Sequence, residues 1–243
     1  MVRVAPLLAL AVALAAYDAW AEHLPSVSTS WDVVFIGLLL IPATFSLLLL
    51  ALPFREELTS WRLLALSLGL AAVTILLELA GADPIANQTK FAAVALLGWW
   101  FLQFFESVGL VLLVAFLITP VDIFSVARGP TKHIVEEQPQ VFDALSISFP
   151  VLGENSSAQL GLPDVLFFSL FLAATQRFAL RTLATWVAMT LSFGTTLALT
   201  VWADVSGLPA LPLLSAGFVL VNADLIWRAL RNRRDEPEPA QPD

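Results

Sequence analysis

FAAVALLGWWFLQFFESVGLVLLVAFLITPVDIFSVA, residues 91–127, is a run of 37 residues with only two ionisable side chains, Glu106 and Asp122. As one helix it would be about 55 Å long, against a hydrocarbon core of about 30 Å. Two membrane helices with a tight turn at Glu106, in QFFESVG, fit instead. The first of the two is then short, tilted or partly re-entrant. Reading outward for runs of about 20 apolar residues gives approximate spans at 4–20, 33–53, 63–82, 91–105, 107–127, 160–176, 184–203 and 208–227.

Composition supports that solvent. The 243 residues are 58% apolar and 13% charged, where soluble domains run near 45–50% and 25%. There are 17 Phe and 8 Trp against one Tyr, and no Cys. The absence of Cys excludes disulfides, thiolate nucleophiles and Cys-ligated zinc. The net charge of −8 sits largely in one central loop and the last nine residues. No basic face is present, so no nucleic-acid partner is expected. The expected fold class is an all-α polytopic membrane protein of about eight transmembrane helices, with a lipid bilayer as its solvent.

Basic residues orient it. With eight spans, the side carrying both termini holds Arg3, Arg55, Arg62, Arg177, Arg181, Arg228, Arg231, Arg233 and Arg234, and the other holds Lys90, Arg128 and Lys132. That split of 9 to 3 places both termini in the cytoplasm and the loop from Arg128 to Gln159 outside. Arg3, the apolar run and AWA before Glu22 also fit a cleaved signal peptide. Residues 1–105 read as an N-terminal scaffold of about four spans, 106–228 as helices with the candidate site, and 229–243 as a disordered charged tail ending in DEPEPAQPD. In the outer loop (128–160), Ser146 to Val151 alternates, with Ile147, Phe149 and Val151 on one side. A short strand or hairpin is expected there.

An ionisable residue inside a span is a functional candidate. Asp224 has Arg228 at i+4, so a structural ion pair explains it. Asp18 and Glu78 lie near span ends, Glu106 at the turn and Asp204 in a short loop. Asp122 and Asp164 differ. Asp122 lies six residues before the helix exit at Arg128, about 9 Å inside it. Asp164 lies about one turn into the next helix, entering from the same side. The two carboxylates are either a facing pair or two unrelated interface aspartates. Neither histidine, His23 or His133, lies in a span, and there is no HExxH. No metal site and no cofactor are expected.

The residues around these aspartates carry a resemblance. VD at Val121-Asp122 is followed by ARGPTKHIVE; GLPD runs from Gly161 to Asp164; LPALP contains Pro209, Ala210 and Leu211. In this order and spacing, over about residues 105–228, they resemble the YD, GxGD and PAL marks of the presenilin and signal-peptide-peptidase family of intramembrane aspartyl proteases. All three marks fall at the outer ends of their expected helices, a placement obtained without them. The tyrosine and the second glycine of the family pattern are Val121 and Pro163 here, and the span count is one below the family's nine. Tyr17-Asp18 is a second YD pair without the following context.

The resemblance implies a dyad of Asp122 and Asp164 sharing one proton, which activates a water against a peptide bond within a membrane segment. Gly161, Leu162, Pro163, Pro209, Ala210 and Leu211 are implied as substrate-positioning residues, and Ala158 to Leu162 as a strand on which an unwound substrate docks. Ile147 to Val151 is a candidate second strand. Pro209 and Pro212 are expected to leave free backbone groups beside the dyad. Pro120 either kinks its helix or is a tolerated membrane proline. Implied partners are single-span membrane proteins or signal peptides. The resemblance to the family's bacterial and archaeal members further implies that no accessory subunit is obligatory. The rival readings are an inactive relative that binds membrane segments, a transporter or proton pathway using the same aspartates, and another membrane hydrolase with paired acids.

Overall fold

A computed structural model describes residues 4–128, 139–205 and 207–234. The basic segment beyond Arg128 and the tail DEPEPAQPD lie outside the described residues. In chain order the elements are α1 (Val4–Trp20), α2 (Thr29–Phe35), α3 (Ile41–Ala51), α4 (Ser60–Leu79), α5 (Asp83–Phe101), α6 (Val108–Arg128), α7 (Pro139–Ala144), β1 (Ser146–Pro150), β2 (Ser157–Gly161), α8 (Leu162–Arg177), α9 (Thr182–Trp202) and α10 (Leu211–Arg234). The last helix continues through 229–234, which the sequence reading assigned to the disordered tail.

The break in the long apolar run lies where its one mid-run charge predicts. After α5 a 3-10 turn covers Leu102–Phe104, Phe105 is extended, and α6 starts at Val108. A helical chain end in an apolar setting must satisfy its last carbonyls. Here the Arg177 guanidinium donates to the Leu102 carbonyl at 2.9 Å.

Six segments are long and apolar enough to cross a membrane: Val4–His23, Thr29–Glu57, Ser60–Leu79, Val108–Arg128, Thr182–Trp202 and Leu211–Arg231. This is consistent with an integral membrane protein. The expected spans at 91–105 and 160–176 are helices that do not meet that standard. Asp83 and Pro84 start α5 eight residues early, so its first two turns carry Asn87, Gln88 and Lys90. Gly81, at φ +70°, ends α4 just before; the reversal needs a residue without Cβ. For α8 the reason is length, 16 residues or about 24 Å of helix.

The short α8 is the centre of the bundle. Val165, Phe168 and Leu170 through Ala174 are fully buried, so its apolar residues face all round rather than along one stripe. Phe45, Phe168 and Phe193 converge with centroids 4.1–5.8 Å apart, and Phe171 stacks on Phe218 at 4.8 Å. In lipid such contacts stabilise through close packing, since the tails are as apolar as the side chains. Small residues permit it. A Cβ on Gly194 would sit 2.9 Å from the Gly37 carbonyl oxygen, where α9 crosses the π turn Ile36–Leu40 between α2 and α3. That π turn precedes Pro42, which has no N–H for an ordinary helical bond.

Asp224 does not pair with Arg228. Arg181, in the turn before α9, grips both of its oxygens at 2.6 and 2.8 Å, and also donates to the Val221 carbonyl. Beside it the fully buried Asn222 accepts the Arg181 N–H and donates to the Thr185 hydroxyl. A planar guanidinium offers two parallel donors to a carboxylate, a geometry the i+4 arginine does not supply here. The ion pair is thus a different one from that expected, and it ties the α8–α9 turn to α10.

Candidate active site

Asp122, Gly161, Pro163, Asp164 and Ala210 line one cavity of about 640 Å³. They arrive on three separate stretches of chain. α6 continues through Pro120 and carries Asp122 near its end. Asp164 stands in the first turn of α8, just after β2. Ala210 is the residue before α10, and its carbonyl accepts the first helical bond, from Leu214 N–H at 3.1 Å. Pro212 follows in the first turn.

The carboxylates meet helix N-termini, where unsatisfied N–H groups and the helix dipole favour negative charge. Leu211 N–H donates to Asp122 Oδ2 at 3.0 Å. Thus Leu211 reaches the site through its backbone, not its side chain. The Gly161 N–H lies beside the Asp164 carboxylate. A Cβ on Gly161 would lie 3.2 Å from Asp164 Oδ2, so any larger residue would press on that oxygen. The two acids are within electrostatic reach of each other.

Pro163 is the second residue of α8 rather than the first. The N–H it lacks is one of the four that a helix start leaves unused, so proline costs this site no hydrogen bond. Val121 is exposed on the bundle surface and does not line the cavity; its difference from tyrosine falls outside the pocket. Leu162 and Pro209 are not in the cavity wall either. Leu162 is helical, so the docking strand expected at Ala158 to Leu162 ends at Gly161. Its N–H donates back to Leu145 at 3.0 Å, extending the hairpin.

The expected strand is present as an antiparallel hairpin, with Ser146 opposite Gly161 and Pro150 opposite Ser157. Ile147 and Phe149 are buried. Bonds from Leu162 to Leu145 and from Val151 to Ser156 flank the ladder. By the alternation of an antiparallel pair, Ser146, Ser148 and Pro150 turn their backbone groups outward from β1, and Ser157, Gln159 and Gly161 turn theirs outward from β2. The outer edge of β1 is closed. The Asn87 side-chain amide bonds both ways to Ser148, donating to its carbonyl at 2.8 Å and accepting its N–H at 3.0 Å. Tyr17 donates to the Pro150 carbonyl at 2.7 Å, and Asn87 also donates to Asp18 at 3.1 Å. The second YD pair therefore braces the hairpin, and Asp18 faces the protein rather than the headgroups. β2, whose residues all line the cavity, presents the other edge.

Asn87 was not legible as a site residue because ADPIANQTK looks like a loop before an apolar run; Gly81 and the early Pro84 are the signals for a helix there. Asp32 was also missed. It is buried, with the Leu152 N–H of the hairpin turn beside its carboxylate. Asn87→Ala is expected to speed amide exchange across Ile147–Gln159 by about 10-fold or more, since it orphans both Ser148 groups, while α8 stays protected. Unchanged exchange in the hairpin would show that the amide clamp does not hold it.

Among the described residues no group of three or more His, Cys, Asp or Glu side chains is placed to hold a metal ion. The arrangement offers two carboxylates in one shared cavity and a strand edge. No family model matches the chain, and no curated protein matches it.

Proposed function

We propose that the chain is an intramembrane aspartyl endopeptidase that cleaves peptide bonds within transmembrane segments or signal peptides. The observation that carries this reading is that Asp122 and Asp164, brought by different helices, line one cavity along which β2 runs. Two like charges in such a site cannot both ionise cheaply, so the pair holds one proton. The ionised partner takes a proton from a water, which attacks the scissile carbonyl, and the protonated partner donates to the oxygen that gains charge. As the tetrahedral intermediate collapses, the leaving nitrogen takes the proton that the first carboxylate drew from water, the C–N bond breaks, and a hydroxyl proton returns to the second carboxylate.

A helical substrate must unwind before attack, and unpaired backbone in lipid costs several kcal/mol per group. Strand addition to the outer edge of β2 offsets that cost. With β1 closed by Asn87 and Tyr17, β2 is the edge on which the substrate docks, and it leads to Gly161 beside Asp164. Pro209, Ala210 and Leu211 act as positioning elements by starting α10 at Asp122.

In this reading α1, the α2–α3 run, α4, α5, α6, α8, α9 and α10 make eight crossings, with α5 and α8 shielded from lipid by the others. Both termini are cytoplasmic and the carboxylates open outward. Single-span proteins with a cytoplasmic N-terminus are the substrate class, and the chain works without an accessory subunit. The test is cleavage of a helical transmembrane reporter by the purified protein in detergent. Loss of cleavage in each single aspartate variant supports the dyad; full cleavage in either one removes it.

A further inference from the structure

About 13 residues along α8 from Asp164, or roughly 20 Å, Arg177 marks the opposite end of the bundle. There a separate cavity of about 210 Å³ is lined by Arg55, Glu56, Ser60, Trp99, Gln103 and Arg177, among others. Arg55 lies in the 3-10 turn that ends the α2–α3 run, Ser60 starts α4, Trp99 lies near the end of α5, and Gln103 lies in the 3-10 turn that follows it.

Two hydrogen-bond donors on residues of this wall have nothing to bond. The Arg55 Nε and the Trp99 Nε1 are both shielded from solvent and have no partner among the described residues. Trp99 is only 4% exposed, so its N–H cannot turn to water. Buried donors are almost always satisfied, and an orphan points to an absent acceptor. The Ser60 hydroxyl bonds to the Gln103 side-chain oxygen, which leaves the Gln103 NH₂ as a further donor. Arg55 and Arg177 also lie within electrostatic reach of each other, so two like charges are held together. Glu56 is the one acid in the wall and is exposed.

The required ligand has several acceptors and negative charge. It must also be present where membrane helices end, at the level of the headgroups. Tetrahedral phosphate meets each condition, and guanidinium suits it geometrically. Basic pockets between helices at a membrane surface take phospholipid headgroups in this way. We propose that the Arg55–Trp99–Arg177 cavity binds a phosphate oxyanion, supplied by a phospholipid headgroup or by free phosphate.

The test uses the full chain, delipidated in a neutral detergent. Binding of a phosphatidylglycerol and of inorganic phosphate is measured separately by native mass spectrometry and by thermal shift. The wild-type protein is expected to retain one tightly held phosphate-bearing ligand. Trp99→Phe keeps the ring packing but removes the N–H, and is expected to weaken binding several-fold. Arg55→Gln is expected to weaken it 10-fold or more. Binding of phosphatidylglycerol without competition from millimolar phosphate identifies the headgroup as the source; saturation by inorganic phosphate alone identifies the free ion. Equal binding by wild type, Trp99→Phe and Arg55→Gln overturns the site, as does failure of both probes to bind.

Discussion

Asp122→Ala and Asp164→Ala are each expected to lower cleavage of a helical reporter by about 10²–10⁴-fold, the range spanned by loss of a positioned acid or base. In the proposed mechanism each role needs the other: without Asp164 no acid faces the carbonyl oxygen, and without Asp122 no base faces the water, or the reverse. The effects must therefore fail to add. The double variant should be no slower than either single one by more than a small factor. Asp122→Asn and Asp164→Asn, which keep size and polarity but cannot exchange the proton, should be as inactive as the alanine forms. Asp18→Asn is the informative control, since Asp18 is a half-buried acid near the same end of the bundle but outside the cavity wall. It should retain cleavage to within several-fold, through its indirect hold on the hairpin. Additive losses at Asp122 and Asp164, or equal loss at Asp18, would separate the two acids into independent structural roles.

Gly98→Ala is expected to be the most damaging single-methyl change within the helices. A Cβ there would lie 2.5 Å from the Leu166 carbonyl oxygen and would also collide with the Ser169 hydroxyl, where α5 crosses α8. The hydroxyl is at the end of a rotatable side chain, but the carbonyl is helix backbone and cannot move alone. Overpacking of this kind costs about 1–3 kcal/mol. For a chain of this length that lowers the melting temperature by roughly 2–4 °C per kcal/mol, and Gly98→Leu should leave little folded protein. Gly69→Ala, in α4 with nothing within 4 Å of the added methyl, should leave stability unchanged or raise it. Ser169→Ala in the Gly98→Ala background should restore only part of the loss, because the carbonyl contact remains. Thermal unfolding in detergent checks all four. Wild-type stability in Gly98→Ala would mean that α5 and α8 are not pressed together as described.

Gly98 also shows why part of this protein could be read from its residues and part could not. The break near Glu106, the strand at Ser146 and the common end of Asp122, Asp164 and Pro209–Leu211 follow from run length and alternation, which are local properties of the chain. Nothing local distinguishes Gly98, against which α8 packs, from Gly69, which faces open space. The same holds for acids. Asp224 had a plausible partner at i+4, yet the turn residue Arg181 takes it with two bonds. Asn87 looked like loop polarity until its amide was found against Ser148. Such partners are separated by 61 or 43 residues, and sequence spacing carries no information about which faces meet.

From its sequence alone the chain has a membrane for its solvent, a turn where its longest apolar run must divide, and two aspartates whose depth lacks a local explanation. Those are matters of transfer energy and length, set residue by residue. Only the tertiary structure decided that α8 is central although it is the shortest of the long helices, that one hairpin edge is closed and the other runs into the cavity, and that Leu211 N–H meets Asp122. Each of these depends on close approach between elements distant in the chain. Such approaches are settled by shape and by the need of every buried polar group for a partner.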